Sequence, residues 1–295
     1  MARDLYQEVT DKIVAQLEAG VAPWQKPWAT KQKFSGAAYN AVSGKPYRGI
    51  NQALLFAPEY PTAAWMTFNQ AKDIGANVRK GERGSLIVFY KPFAVEDKNA
   101  APDANGDRPS KMIPLLRSYV VFNVAQCDNV PAKYQPQAIE EKPEAERHAE
   151  AERVMAQASV ILGGDRAFYR TSDDTIRLPQ PSQFESQGAY YATALHELTH
   201  WTGHAKRLAR EYGKRFGDEA YAREELVAEM GAAFLCASVG IAGKLQHAEY
   251  IGSWIKVLKG DKRAIVIAAA AAQRATDFCL GTTFENSENG DAIAA

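Results

Sequence analysis

The segment His196-Glu197-Leu198-Thr199-His200 constrains this chain more than any other feature, because its two histidines stand four residues apart. Residues at this spacing lie on one face of an α-helix, so both rings can direct a nitrogen at one metal ion. Glu197 then stands beside the metal, where its carboxylate can accept a proton from a water molecule that the metal activates. The neighbouring residues are apolar and predict a buried helix: Ala192, Ala194, Leu195 and Leu198. The sequence therefore predicts a zinc hydrolase centre with His196 and His200 as ligands and Glu197 as general base.

The third metal ligand must come from another segment, because a catalytic zinc ion takes three protein ligands and keeps one position open. Residues 218–239 predict a second buried helix, on which Glu225 and Glu229 again stand four residues apart. We expect one of these carboxylates to bind the metal and the other to hydrogen-bond a ligand histidine. His204 is a rival ligand, although Gly203 favours an end to the helix before it.

Both segments resemble the metal-binding helices of gluzincins, the thermolysin-like zinc peptidases. The resemblance implies Glu225 as the third ligand and Glu229 as its support, although the spacing from His200 is longer than in that family. It also implies peptide hydrolysis with Zn²⁺ as the cofactor, and Mn²⁺ or another divalent ion as an alternative. The group that stabilises the oxyanion stays open among five side chains: Tyr190, Tyr191, His204, Tyr212 and Tyr250.

A short strand predicted at Thr175–Leu178 precedes the metal-binding helix, and we expect it to be an edge strand. An exposed edge strand can hold an extended peptide through backbone hydrogen bonds, which favours a peptide substrate. A zinc deaminase is disfavoured, because the chain lacks the Cys-x-x-Cys pair that such an enzyme requires.

Residues 24–93 interleave basic and aromatic side chains, a pattern that favours single-stranded nucleic acid. Cations neutralise the phosphate backbone, and flat side chains stack on unpaired bases. Residues 1–136 carry 17 Lys and Arg against 12 Asp and Glu, and the rest of the chain has the opposite excess. We expect Phe68, Phe89 and Phe122 to lie in the core. The residues expected to contact DNA are Trp24, Lys26, Trp28, Lys45, Tyr47, Arg48, Asn51, Trp65, Arg79, Lys80 and Arg83.

The order of these patterns predicts an α+β chain of two domains. Residues 1–133 form a DNA-binding domain with a small antiparallel sheet, and residues 134–149 form a linker rich in Gln, Glu and Pro. A mostly helical zincin-like peptidase domain follows at 150–284, with a disordered tail at 285–295. Predicted helices cover residues 4–18, 51–57, 67–75, 144–162, 186–203, 218–239 and 246–280. Predicted strands cover residues 85–90, 117–125, 167–170 and 175–178, with a mobile loop at 96–111.

The composition predicts a cytoplasmic protein without a membrane segment. No apolar run approaches the roughly 20 residues that span a bilayer, and the first residues lack the apolar core of a signal peptide. The three cysteines are odd in number and widely spaced, which suits a reducing compartment. A net charge of zero with a basic first half excludes an acidic mimic of DNA.

The chain resembles ArdC-type antirestriction proteins, whose N-terminal domain is similar to that of TraC-type plasmid primases. The segments that carry the resemblance are Pro23-Trp24-Gln25-Lys26-Pro27-Trp28, Tyr47-Arg48-Gly49-Ile50-Asn51, Trp65-Met66-Thr67-Phe68, Val78-Arg79-Lys80-Gly81-Glu82, Val121-Phe122-Asn123 and the two metal-binding segments. The resemblance implies a conjugative-plasmid protein that binds single-stranded DNA without sequence preference and shields incoming DNA from host restriction.

Two other functions stay open on the sequence alone. The chain could be a zinc metallopeptidase that acts on a protein substrate and has no DNA role. It could also be a DNA-binding protein with a purely structural zinc ion, although such a site has no need of Glu197. Salt-dependent affinity for single-stranded DNA distinguishes the first alternative, and substitution of Glu197 distinguishes the second.

Overall fold

The structure is a computed structural model that describes residues 3–24, 37–56, 60–96, 110–135, 144–210, 219–241 and 250–282. It is an α+β fold with small sheets, as predicted. The helices are α1 (Leu5–Glu18), α2 (Ile50–Phe56), α3 (Phe68–Asp73), α4 (Glu144–Met155), α5 (Gln187–Thr202), α6 (Glu219–Val239), α7 (Ile251–Gly260) and α8 (Ala264–Leu280). The strands are β1 (Tyr39–Asn40), β2 (Ala64–Thr67), β3 (Asn77–Val78), β4 (Ser85–Glu96), β5 (Ser110–Asn123), β6 (Cys127–Asp128), β7 (Ser159–Leu162), β8 (Phe168–Arg170) and β9 (Thr175–Leu178).

The main sheet of the N-terminal half has the strand order β1-β2-β5-β4. Strands β4 and β5 form a long antiparallel pair, and β2 is antiparallel to β5. Only β1 departs from the predicted antiparallel arrangement, because it pairs with β2 in parallel. Ile87 and Val121 are fully buried on one face of this sheet, where alternate residues of each strand point to the same side.

The small sheet of the C-terminal half corrects the prediction about the peptide-holding strand. Its order is β7-β9-β8, with β7 parallel and β8 antiparallel to β9. Strand β9 is therefore the central strand, paired on both sides, and the prediction that Thr175–Leu178 is an edge strand was wrong. The strand that the prediction missed is β7, whose Val160 and Ile161 lie in a segment assigned to a helix at 144–162. Pairing with β9 overrides the helical pattern there.

The long helix predicted at 246–280 is divided in the described residues. Helix α7 ends at Gly260 and α8 begins at Ala264. Asp261 forms the turn between them, and its carboxylate accepts a hydrogen bond from the backbone N–H of Arg263 at 2.9 Å. Aspartate favours such local backbone bonds over helix continuation.

The two halves of the chain share one hydrophobic core. Helix α1, Trp24 and α2 pack against α6, α7 and α8. The ring of Trp24 is 1% exposed and meets Trp254 edge-on, with the centroids 5.6 Å apart. Phe56 of α2 meets Phe234 of α6 in the same way at 6.3 Å. The sequence boundary at 134–149 therefore separates two segments whose apolar side chains are buried against each other.

Polar contacts reinforce this shared core at its rim. Thr10 donates a hydrogen bond to the backbone carbonyl of Lys262 at 2.8 Å, and the backbone N–H of Gly49 donates to Gln273 at 2.9 Å.

Within the described ranges, no helix combines the length and the apolar character that crossing a bilayer requires. The three cysteines are free and buried, and burial raises the pKa of the Cys236 thiol to about 12.

We expect fragments 1–135 and 144–295 to fold poorly when each is made alone, because each would expose the apolar face that the other covers. Co-expression should restore a soluble complex with one cooperative thermal transition, measured by circular dichroism. Two fragments that each unfold cooperatively at the melting temperature of the full chain would contradict the shared core.

Candidate metal centre

Helix α5 presents both histidines of the motif on one buried face. Its start is fixed by Ser186, whose hydroxyl accepts a hydrogen bond from the backbone N–H of Ala189 at 3.1 Å. Gly203 follows its last residue, as predicted from the sequence. His196 is 3% exposed, and the rings of His196 and His200 lie 4.8 Å apart between centroids.

Helix α6 carries the carboxylates and packs closely against α5 where Gly231 of α6 faces the side chain of Thr199 of α5. A Cβ atom at Gly231 would lie 2.5 Å from the Thr199 methyl group and 2.9 Å from its hydroxyl oxygen. Thr199 is fully buried and donates a hydrogen bond to the Leu195 carbonyl at 2.9 Å, so its side chain is held in place. The absence of a Cβ at Gly231 allows the two ligand-bearing helices to approach.

His196, His200 and Glu225 form the only cluster of metal-ligating side chains within the described residues, with their ligand atoms within 4.8 Å of one another. The two histidine Nε2 atoms are 3.2 Å apart. The Glu225 oxygens lie 3.5 Å from Nε2 of His196 and 3.6 Å from Nε2 of His200. Zinc ligands at tetrahedral positions about 2.0–2.1 Å from the metal are separated by roughly 3.3 Å. The three side chains therefore fit one face of a zinc tetrahedron.

The charges around this cluster favour a cation at its centre. Burial disfavours ionisation of Glu225, but the contacts with His196 and His200 outweigh it and hold the pKa of Glu225 below its ordinary value. Burial also opposes a charge on His200, yet Glu224 and Glu225 together raise the pKa of His200 to about 10. Two nitrogens and a carboxylate in this electrostatic environment form a donor set that suits a divalent metal ion.

Glu224, which the sequence analysis did not single out, supports the cluster from the side. Its carboxylate oxygen lies 3.1 Å from Nδ1 of His200. This contact fixes the ring tautomer that leaves Nε2 available to a metal. Arg210 in turn donates hydrogen bonds to both Glu224 oxygens, at 2.8 and 3.0 Å, and to the Thr199 carbonyl at 2.6 Å. An arginine after the helix could have been suspected as a partner for a buried acid, but nothing in its spacing indicated Glu224.

The other predicted site residues occupy the following positions. Glu197 follows the first ligand on α5 and is 7% exposed. Glu229 is completely buried one turn beyond Glu225, outside the three-residue cluster. His204 also lies outside it, and its Nδ1 accepts a hydrogen bond from the backbone N–H of Lys206 at 3.1 Å.

Tyr221 and Tyr250 form a hydroxyl pair close to Glu225. The two hydroxyl oxygens are 3.1 Å apart, and Tyr221 stands one helical turn before Glu225 on α6. Burial, the hydrogen bond with Tyr250 and the negative charge of Glu225 raise the pKa of Tyr221, so its hydroxyl stays protonated at neutral pH. Of the other tyrosines considered, Tyr191 donates a hydrogen bond to Glu152 at 2.8 Å. Tyr212 lies outside the described residues.

The residues expected to contact DNA divide into three groups. Lys26 and Trp28 lie outside the described residues. Lys45, Arg79, Lys80 and Arg83 are exposed, and Arg79 pairs with Glu82 at 2.8 Å. The remaining five are buried or are paired with other residues of the fold: Trp24, Tyr47, Arg48, Asn51 and Trp65.

The three aromatic members of that last group are too buried to stack on a base in this conformation. Trp24 and Trp65 are each 1% exposed, and Tyr47 is 3% exposed. Asn51 exchanges two hydrogen bonds of 2.8 Å with the backbone of Val88, and Arg48 forms an ion pair with Asp277. These side chains stabilise the fold, and the burial of both tryptophans reverses the expectation that aromatic residues here face solvent.

The geometry and the order of the two halves define the class of protein. Residues 147–271 match a family model described as a zincin-like metallopeptidase. Residues 3–122 match the model described as the N-terminal domain of anti-restriction factor ArdC. The fold agrees with both: the crystal structure of metal-free antirestriction ArdC protein from the R388 plasmid is 37% identical, with a TM-score of 0.77 over 96% of this chain and 100% of that one. This chain belongs to the ArdC family of antirestriction proteins.

Further relatives agree with this assignment. The Mn(II)-bound crystal structure of the R388 ArdC protein has a TM-score of 0.72 and 36% identity over 95% of this chain. An uncharacterised protein of Sinorhizobium fredii, y4eC, is 38% identical over 93% of this chain and 91% of its own length. A DNA primase TraC of Escherichia coli is 41% identical over 94% of this chain, which spans only 27% of that primase.

Replacing Gly231 with alanine should push α5 away from α6, because the new methyl group would overlap Thr199. We expect a loss of about 1–3 kcal/mol in unfolding free energy and weaker divalent metal binding. Gly252→Ala is the matched control: Gly252 lies in α7 with no atom within 4 Å of the added Cβ, so alanine should be neutral or slightly stabilising. Calorimetry with and without metal measures both effects, and equal behaviour of the two variants would refute the close-approach explanation.

Removing the Glu224 carboxylate should weaken metal binding without changing a ligand. We expect Glu224→Gln to lower zinc affinity by about 10- to 100-fold, because His200 loses its charged partner. Competition with a chromophoric chelator gives the affinity. Glu219→Gln is the control, since Glu219 is exposed on the same helix and pairs with Arg223. Unchanged affinity in Glu224→Gln would show that the contact does not orient His200.

Proposed function

We propose that this chain is an antirestriction protein that binds single-stranded DNA and carries a metal-dependent peptidase centre. The observation that carries the enzymatic part is the arrangement of His196, His200 and Glu225 at tetrahedral separations, with Glu197 next to the first ligand. In this proposal Glu225 is the third ligand, and Glu229 lies fully buried one helical turn further along α6.

The donor set favours zinc, because two imidazoles and one carboxylate are the protein ligands of many catalytic zinc sites. Manganese is a second candidate, supported by the Mn(II)-bound structure of the R388 relative. When bound, such an ion acts as a Lewis acid that polarises a substrate carbonyl and makes a water molecule more acidic.

Glu197 would act as the base and then as the acid of peptide hydrolysis. Its carboxylate accepts a proton as the water oxygen attacks the carbonyl carbon. It returns that proton to the leaving nitrogen as the C–N bond breaks, so that the carboxylate is regenerated. The hydroxyl pair of Tyr221 and Tyr250 would donate a hydrogen bond to the oxyanion, because it lies beside Glu225 and the pKa of Tyr221 is raised.

Single-stranded DNA is the proposed partner of the N-terminal half. The excess of basic residues in the first 136 positions supports an electrostatic contact with phosphate. The match to the ArdC N-terminal domain, and the similarity to a DNA primase, support a role on DNA. Of the predicted contact residues, Lys45, Lys80 and Arg83 are exposed and available for such a contact.

The test of the enzymatic part is Glu197→Gln, which keeps the shape of the side chain and removes its basicity. We expect this variant to bind metal and single-stranded DNA as the wild type does, while plasmid transfer into a restricting host falls to the level without the protein. Glu185→Gln is the control, because Glu185 is exposed just before α5.

Two other results of the Glu197→Gln experiment would contradict this part of the proposal. Full protection by Glu197→Gln would mean that the metal is structural and that DNA binding alone protects. Loss of metal binding in this variant would place Glu197 among the ligands and would contradict its role as a base.

A further inference from the structure

An exposed apolar patch formed by Phe68, Val120 and Phe122 lies on the N-terminal half. Phe68 is 56% exposed and Val120 is 50% exposed, values that stand out against the buried tryptophans of the same half. Phe68 meets the half-buried Phe122 edge-on, with the ring centroids 6.4 Å apart. The expectation that Phe68 belongs to the core was therefore wrong. A patch of this kind on a folded surface indicates a binding site.

Two basic residues are next to this apolar patch by their positions in the fold. Lys72 follows Phe68 by one turn on α3, so both side chains share a face of that helix. On the other side, the turn 79–84 packs against the patch: a Cβ at Gly84 would lie only 2.2 Å from a methyl carbon of Val120 and 3.1 Å from the tip of the Phe122 ring. This contact brings Arg83, which immediately precedes Gly84, beside the apolar surface.

The cations near the patch, on α3 and in the turn 79–84, differ in whether they are paired with an acid. Arg79 is held by Glu82 at 2.8 Å and by the carbonyl of Ala125 at 2.6 Å. Within the described part of the chain, no carboxylate forms an ion pair with Lys72, Lys80 or Arg83, and all three are exposed. Arg79 thus shapes the turn, while the other three remain available to an anionic partner.

We propose that Phe68, Val120 and Phe122, with Lys72 and Arg83 beside them and Lys80 in the same turn as Arg83, form the surface on which bases of single-stranded DNA stack. A flat apolar surface between cations complements a chain that carries unpaired bases on a phosphate backbone. Duplex DNA hides the faces of its bases, so it gains only from the cations. This inference rests on the proposed DNA binding and gives it a location that the buried Trp24, Tyr47 and Trp65 do not provide.

The decisive experiment measures binding of fluorescent single-stranded and double-stranded oligonucleotides to the full chain across a salt series. We expect Phe68→Ala to weaken single-strand binding by on the order of 10-fold and to leave duplex binding unchanged. Phe168→Ala, an exposed phenylalanine of β8, is the matched control and should bind as the wild type does. Lys80→Ala and Arg83→Ala should each reduce the slope of log affinity against log salt by about 0.7 for single strands.

A second variant tests whether a loss of affinity in Phe68→Ala comes from a change in folding. Phe68→Trp keeps an aromatic face, so it should retain affinity, and the fluorescence of the added tryptophan should be quenched by an oligonucleotide. Phe168→Trp should show no such quenching.

The possible outcomes distinguish a wrong location of the DNA-binding surface from a failure of the proposed function. If the wild type binds single strands and Phe68→Ala binds equally well, the surface is wrong and the proposed function stands. If the wild type does not bind single strands, the proposed function fails. Loss of antirestriction activity in Phe68→Ala with unchanged DNA affinity would assign the surface to a protein partner and overturn the inference.

Discussion

The close approach of α5 and α6 at Thr199 and Gly231 is the contact on which the metal centre depends. The two histidines lie on one helix and Glu225 on the other, so the distance between the helices sets the distance between the ligands. The missing Cβ of Gly231 allows the backbone of α6 to reach the buried Thr199. Glycine in a helix interior costs about 1 kcal/mol relative to alanine, and here that cost is offset by the packing it permits.

The same helix α6 joins the metal centre to the N-terminal half. Its residues contact α5 on one side, while Phe234 packs against Phe56 of α2 on the other. Trp24 and α1 complete this core against α7. A continuous set of packed side chains thus connects the basic half with Glu225.

The roles of the aromatic residues follow from this shared core. Trp24 lies in a core to which both halves contribute, and its ring meets Trp254 of α7 edge-on. Phe68 follows β2 and remains exposed, with the ring of Phe122 of β5 beside it. The aromatic residue that faces solvent is therefore one that sequence reasoning had assigned to the core.

Local patterns in the sequence were sufficient for several features of this protein. The four-residue spacing predicted that His196 and His200 share a helical face, and the apolar surroundings predicted that α5 and α6 are buried. The end of α5 at Gly203 and the strands at 85–90 and 117–123 follow from local chemistry as well, whereas their extension through residues 91–96 and 110–116 was not predicted. The tertiary structure brought Glu225, the acid that the gluzincin resemblance implied, to the two histidines. It alone decided that Glu224 with Arg210 supports His200, that β9 is a central strand, and that the two halves share a core. These features depend on contacts between residues far apart in the chain, and local periodicity carries no information about which helix faces meet.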